Sequence, residues 1–199
     1  MRFYVIIITV ITLISCWDIA LAADVQISGI RDAKNKIQAS YEVKKGVLSI
    51  DMNGDGAKDL VVTGQRNDIM AHNSYYVHSF YITTPESLKV IEIKEQDDKE
   101  DLKESEFLMY TRPFDGEAIV SALRLLKLKG LKELFLLKVY REIGTGYSDP
   151  SDTYFDIYKL KYDDLDARYL YIKIASLKTK AKYENALEAL NELGIKWPN

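Results

Sequence analysis

Residues 51–59 read Asp-Met-Asn-Gly-Asp-Gly-Ala-Lys-Asp, a pattern that places oxygen-bearing side chains at alternate positions of a glycine-rich stretch. Hard cations such as calcium take six to eight oxygen ligands, and alternate residues of a tightly turning loop can aim their oxygens inward. Asp51, Asn53, Asp55 and Asp59 would supply side-chain oxygens and Ala57 its carbonyl, while Gly56 permits a turn that a Cβ would obstruct. Zinc favours His and Cys, neither of which stands here, so the expected cofactor is Ca2+ in a structural role. The competing reading is an Asx- and Gly-rich turn that binds nothing, because these residues also favour turns for backbone reasons of their own.

What must position this loop is a pair of strands. Counting from Asp51, the twelfth position is Val62, where an EF-hand would need its bidentate Glu. The flanks 47–50 and 60–63 alternate apolar and polar residues as strands do, so the unit is strand–loop–strand. In that setting Asp-x-Asn-Gly-Asp-Gly-x-x-Asp-Leu resembles the FG-GAP or VCBS-type repeats of integrin-like propellers over residues 48–64. Those propellers repeat the unit several times and this chain carries it once, so the resemblance implies a local calcium loop and not a propeller.

Other chemistry is sparse. Nucleophilic catalysis needs a Ser or Cys with a base and an orienting acid, yet the chain has one Cys and only two His, His72 and His78. Neither His lies beside a Ser-centred elbow, no third zinc ligand neighbours them, and each reads as an ordinary surface or core residue. Acids are plentiful enough to supply the paired carboxylates of glycoside hydrolysis, but nothing selects a pair. Gly144-Thr145-Gly146 is too short for a phosphate-binding fingerprint. The segment 141–152, rich in Gly, Tyr, Ser, Asp and Pro between two apolar strands, reads as a shaped binding loop, with Arg141, Tyr147 and Asp149 as its candidate ligand-binding residues.

The supporting elements are mainly strands. Alternation of apolar and polar residues marks 37–43, 47–51, 60–63, 75–83, 88–93, 107–111, 119–128, 133–141, 153–162 and 168–176. In the ninth of these, Phe155 and Ile157 face away from Tyr154, Tyr158 and Leu160, which predicts burial on both sides at one end. The 14 tyrosines read as core and sheet residues. Residues 95–106 are strongly acidic and read as a solvated loop or short exposed helix. Residues 180–194 place Tyr183, Ala186, Leu187, Leu190 and Leu193 at helical spacing before Gly194, which predicts an amphipathic α-helix packed on the sheet. The expected fold is mainly β, with antiparallel sheets in a sandwich, barrel or partial propeller-like arrangement, and one C-terminal amphipathic α-helix.

The chain opens on Arg2, an apolar run over 3–14 and an Ala20-Leu21-Ala22 site, the three parts of a secretory signal peptide. Cleavage after Ala22 would leave residues 23–199 as one β-rich domain without cysteine, and without a transmembrane anchor because the apolar run is too short to span. The expected location is periplasmic or secreted. Leu13-Ile14-Ser15-Cys16 also resembles a lipobox, and the alternative is a lipoprotein anchored at Cys16. A net charge of −3 gives no basic surplus for nucleic acid. The expected partner is an unknown small molecule or an envelope protein, and homo-oligomers are compatible with the sequence.

A broader resemblance runs from about residue 48 to 160. The Asn-Gly-Asp-Gly loop, the strand 76–81 with His78, and Tyr140-Arg141-Glu142-Ile143-Gly144 followed by Tyr147-Ser148-Asp149-Pro150 together look like the periplasmic carbapenem intrinsic-resistance proteins of the CarG type. The resemblance implies an exported β-rich protein that protects against β-lactams without a hydrolytic centre. The expected function is therefore a non-enzymatic, calcium-binding envelope factor for binding or protection, and the alternative is a periplasmic hydrolase using carboxylates or the metal loop.

Overall fold

Short runs with every second residue apolar bury one face and hydrogen-bond sideways, so the chain folds by pairing strands and curling the result around its apolar faces. The computed structural model describes residues 25–68, 73–94, 107–114, 119–144, 146 and 149–196. Residues 1–24, with Cys16 and the expected cleavage site, His72, the acidic run 95–106 and Tyr147 lie outside the described residues.

After a short helix α1 (Ile30–Lys36), ten strands follow: β1 (Ile37–Glu42), β2 (Gly46–Ile50), β3 (Asp59–Asp68), β4 (Asn73–Thr83), β5 (Leu88–Lys94), β6 (Met109–Phe114), β7 (Ser121–Leu128), β8 (Leu134–Arg141), β9 (Thr153–Asp163) and β10 (Arg168–Lys178). They form one sheet in the order β1-β7-β8-β9-β10-β5-β4-β3-β2, with β6 paired to β4. The fold class expected from the sequence is present: mostly β, as a curled half-barrel. Its pairings are antiparallel except between β10 and β5, which run parallel, so the sheet is mixed.

Two cores occupy the two faces. On the concave face Val61 of β3, Phe80 of β4, Leu125 of β7, Tyr158 of β9 and Tyr171 of β10 belong to one buried cluster. Strands far apart in the pairing order meet there, which is what curls the sheet. On the convex face Leu126, Phe135, Leu137, Phe155 and Ile157 pack beneath Ala186, Leu187 and Leu190 of the C-terminal segment. Strand β9 feeds both, with Phe155 and Ile157 in one core and Tyr158 and Leu160 in the other, as its pattern predicts.

The C-terminal element differs from expectation. Its apolar stripe is buried as predicted, but only Glu188–Leu193 is helical and the helix is of the 3-10 type. The preceding backbone is committed elsewhere: Tyr183 exchanges two 3.0 Å hydrogen bonds with Ser151, and the Ala186 N–H donates to the Ile119 carbonyl at 2.9 Å. The Glu192 carboxylate accepts from the Lys180 and Ala181 N–H groups and from the Tyr183 hydroxyl, which holds that segment in a series of bends instead of a helix. Gly194, in the left-handed conformation, stops the helix as the sequence indicates.

Candidate functional site

The loop between β2 and β3 spans residues 51–58, closed by pairing of Ile50 with Asp59. Its turns come from Gly54 (φ 80°) and Gly56 (φ 93°). Gly54 is required twice over, since a Cβ there would stand 2.5 Å from Lys132 Cβ and 2.9 Å from the Lys132 carbonyl carbon. Met52 anchors the loop from within. Its side chain is fully buried in the concave core, and its carbonyl accepts the Leu134 N–H at 2.7 Å.

The acidic residues bind their own backbone. Asp51 accepts the Gly54 N–H at 2.7 Å and the Gly56 N–H at 2.9 Å, one on each oxygen. Asp55 accepts the Ala57 N–H at 2.7 Å on one oxygen and the Asn53 side-chain amide at 2.8 Å on the other. Asp59, wholly buried, accepts the Met52 N–H at 2.7 Å and the Thr83 N–H at 2.8 Å, and so fastens the loop to the end of β4. Burial pushes the Asp59 carboxyl above the usual carboxylate range, against the pull of the Thr83 and Met52 N–H groups. The Asn53 amide and then the Ala57 N–H hold the exposed Asp55 below it.

The donor set is all oxygen and suits a hard cation in kind, and each carboxylate oxygen that accepts one N–H keeps a second lone pair. Among the described residues, however, no three His, Cys, Asp or Glu side chains converge as a metal-holding group. In this arrangement the loop carries the self-bonded Asx geometry that the turn reading also predicts.

Of the candidate binding loop, the structure brings Arg141 and Asp149 together, but through backbone: Arg141 Nη1 donates to the Asp149 carbonyl at 2.9 Å. Arg141 is 2% exposed, and its Nε and Nη2 have no hydrogen-bond partner among the described residues. It serves to hold the end of the loop beside β8. His78 is a core residue, held between the Thr63 hydroxyl at 2.9 Å and the Thr111 hydroxyl at 2.8 Å. Burial, and next the charge of Lys138, lowers its pKa to about 4, so it is neutral at physiological pH.

Sequence reasoning missed Arg124. It stands in β7 within Ala122-Leu123-Arg124-Leu125-Leu126, and a single charge inside an apolar strand was the signal available.

No family model matches this chain, and no curated protein does. Among solved structures, the crystal structure of CarG is similar, with 22% sequence identity and a TM-score of 0.59, covering 78% of this chain and 95% of that chain. At that identity the likeness establishes a shared fold.

Proposed function

We propose that the chain is an exported, non-enzymatic binding or protective factor of the bacterial envelope, acting like the CarG type and stabilised by calcium at residues 51–59. The observation that carries this reading is the fold shared with CarG over most of both chains. The order of motifs along the sequence supports it, since the Asn-Gly-Asp-Gly loop, the His78 strand and the Arg141 segment follow one another as the resemblance requires. Asp51, Asn53, Asp55 and Asp59 would hold the ion with the Ala57 carbonyl, and calcium would supply the positive charge that offsets repulsion among three acids. Asp51 and Asp55 would turn their free lone pairs to the ion, while Asp59 keeps the loop fastened to β4.

The test is made in a carbapenem-susceptible bacterial host that exports the full chain. Growth should extend to higher carbapenem concentrations, and the purified protein should leave carbapenem absorbance unchanged over hours. Unaltered susceptibility would remove the protective reading. Turnover that vanishes in a folded Asp55→Ala variant would instead make the protein a hydrolase.

A further inference from the structure

A cavity of about 390 Å³ opens beside the start of β7, away from the calcium loop. It lies at the edge of β7, with Ile119, Ala122 and Leu187 as apolar walls from one face of the sheet and Val43 and Leu123 from the other. Its volume falls in the range of small-molecule sites, roughly 300–1,000 Å³, which are mostly apolar with a few placed polar groups. Of the charged groups in the lining only Arg124, 7% exposed, is buried; Glu42 is half-buried, and Lys44 and Lys45 are exposed. Strand alternation puts Arg124 on the same face as Ala122, the face that Leu187 and the C-terminal segment cover.

Arg124 is incompletely satisfied. Its Nε donates to Ser40 Oγ at 2.6 Å, while its buried Nη1 has no hydrogen-bond partner among the described residues. Glu42 lies opposite Arg124 in the pairing of β1 with β7 and its charge favours the guanidinium, but the ion pair of Glu42, at 3.3 Å, is with Lys44, so Nη1 stays without an acceptor among the described residues. Lys45 donates to the neutral Gln65 amide at 2.9 Å. The lining thus holds Arg124, Lys44 and Lys45 against the single carboxylate of Glu42, a surplus of positive charge. A guanidinium does not lose its proton in a protein, and leaving such a charge buried with an open donor is costly. The group that fits its fork is a carboxylate.

We propose that this cavity binds a small organic monoanion with an apolar body, its carboxylate seated on Arg124 and its body against Ala122, Ile119 and Leu187. This deepens the binding reading given above and is independent of calcium.

Isothermal titration of the purified chain with octanoate tests it, with octylammonium as the control of equal apolar length and opposite charge. Octanoate should bind one to one and octylammonium should not. Arg124→Met should weaken octanoate binding by about tenfold or more, the scale of a lost charge-assisted hydrogen bond. Ala122→Leu, which fills the cavity and leaves Arg124 in place, should weaken it as well, and it decides the matter should Arg124→Met not fold. Absence of octanoate binding, equal binding of octylammonium, or undiminished binding to the folded variants would overturn the proposal. Such a failure would leave the carbapenem test of function standing on its own result.

Discussion

At the residue scale, Asp59 and His78 are both buried and both polar, and they act in opposite ways. Asp59 is an acceptor for two backbone N–H groups from different elements. Asp59→Ala leaves the Met52 and Thr83 N–H groups without a partner and should cost on the order of 3 kcal/mol in urea unfolding with chelator present. Asp55→Ala, at a fully exposed carboxylate, should cost far less under the same conditions. Equal losses in the two variants would contradict the anchoring role of Asp59. His78 governs acid stability, because its pKa is about 4 in the fold against 6.5 when unfolded. Between those values the unfolded chain binds the proton and the native chain does not, so stability is full above pH 6.5 and falls as pH drops towards 4. The contribution is about 3 kcal/mol. His78→Gln can still bridge Thr63 and Thr111 and should flatten the dependence between pH 6.5 and 4, as read from urea midpoints. A variant with the wild-type slope would show that another group titrates.

At the element scale, the β2–β3 loop depends on its two glycines unequally. Both have positive φ, but only Gly54 faces Lys132 at a distance that no Cβ tolerates, whereas Gly56 has open space around it. Gly54→Ala should therefore lower the melting temperature more than Gly56→Ala, and the reverse order would contradict the packing of the loop on the β7–β8 turn. Legibility in the sequence follows the same division between local and distant causes. Strands were readable where alternation is local, as in β9, whose split between Phe155 and Tyr158 marked both cores. The parallel contact of β10 with β5 was not, because Tyr169 pairs with Ile91 across a separation that no local pattern encodes. Helix α1 was missed since seven residues with only Ala33 buried give no periodicity to read. The stripe of Ala186, Leu187, Leu190 and Leu193 predicted burial correctly, but the hydrogen bonds of Tyr183 and Ala186 to Ser151 and Ile119 took the backbone that an α-helix would have used. At the candidate site, the loop residues could be named from spacing alone. The Arg124 cavity could not, because Lys45, Arg124 and Leu187 line one space only in the folded chain.

At the scale of the whole molecule, Met52 of the loop 51–59 ties together strands that pairing does not join, and Asp59 adds a link between the paired strands β3 and β4. Met52 reaches Leu134 of β8 and lies 3.7 Å from the Tyr171 hydroxyl of β10, while Asp59 holds Thr83 of β4. An ion that binds the folded loop and not the unfolded chain would therefore stabilise the entire domain and not a local turn. For calcium at about 1 mM and a dissociation constant of about 10 μM, the gain is roughly 2.7 kcal/mol, or about 5–10 °C in melting temperature for a chain of this size. Magnesium should do much less, since it demands tighter octahedral geometry and releases its waters reluctantly. The most direct measurement is a calorimetric melt of wild type and Asp55→Ala, each in calcium and in chelator. Wild type should melt at a higher temperature in calcium than in chelator, and Asp55→Ala should show none of that rise. Identical wild-type melts in calcium and chelator would contradict calcium binding and leave the loop as a self-bonded turn.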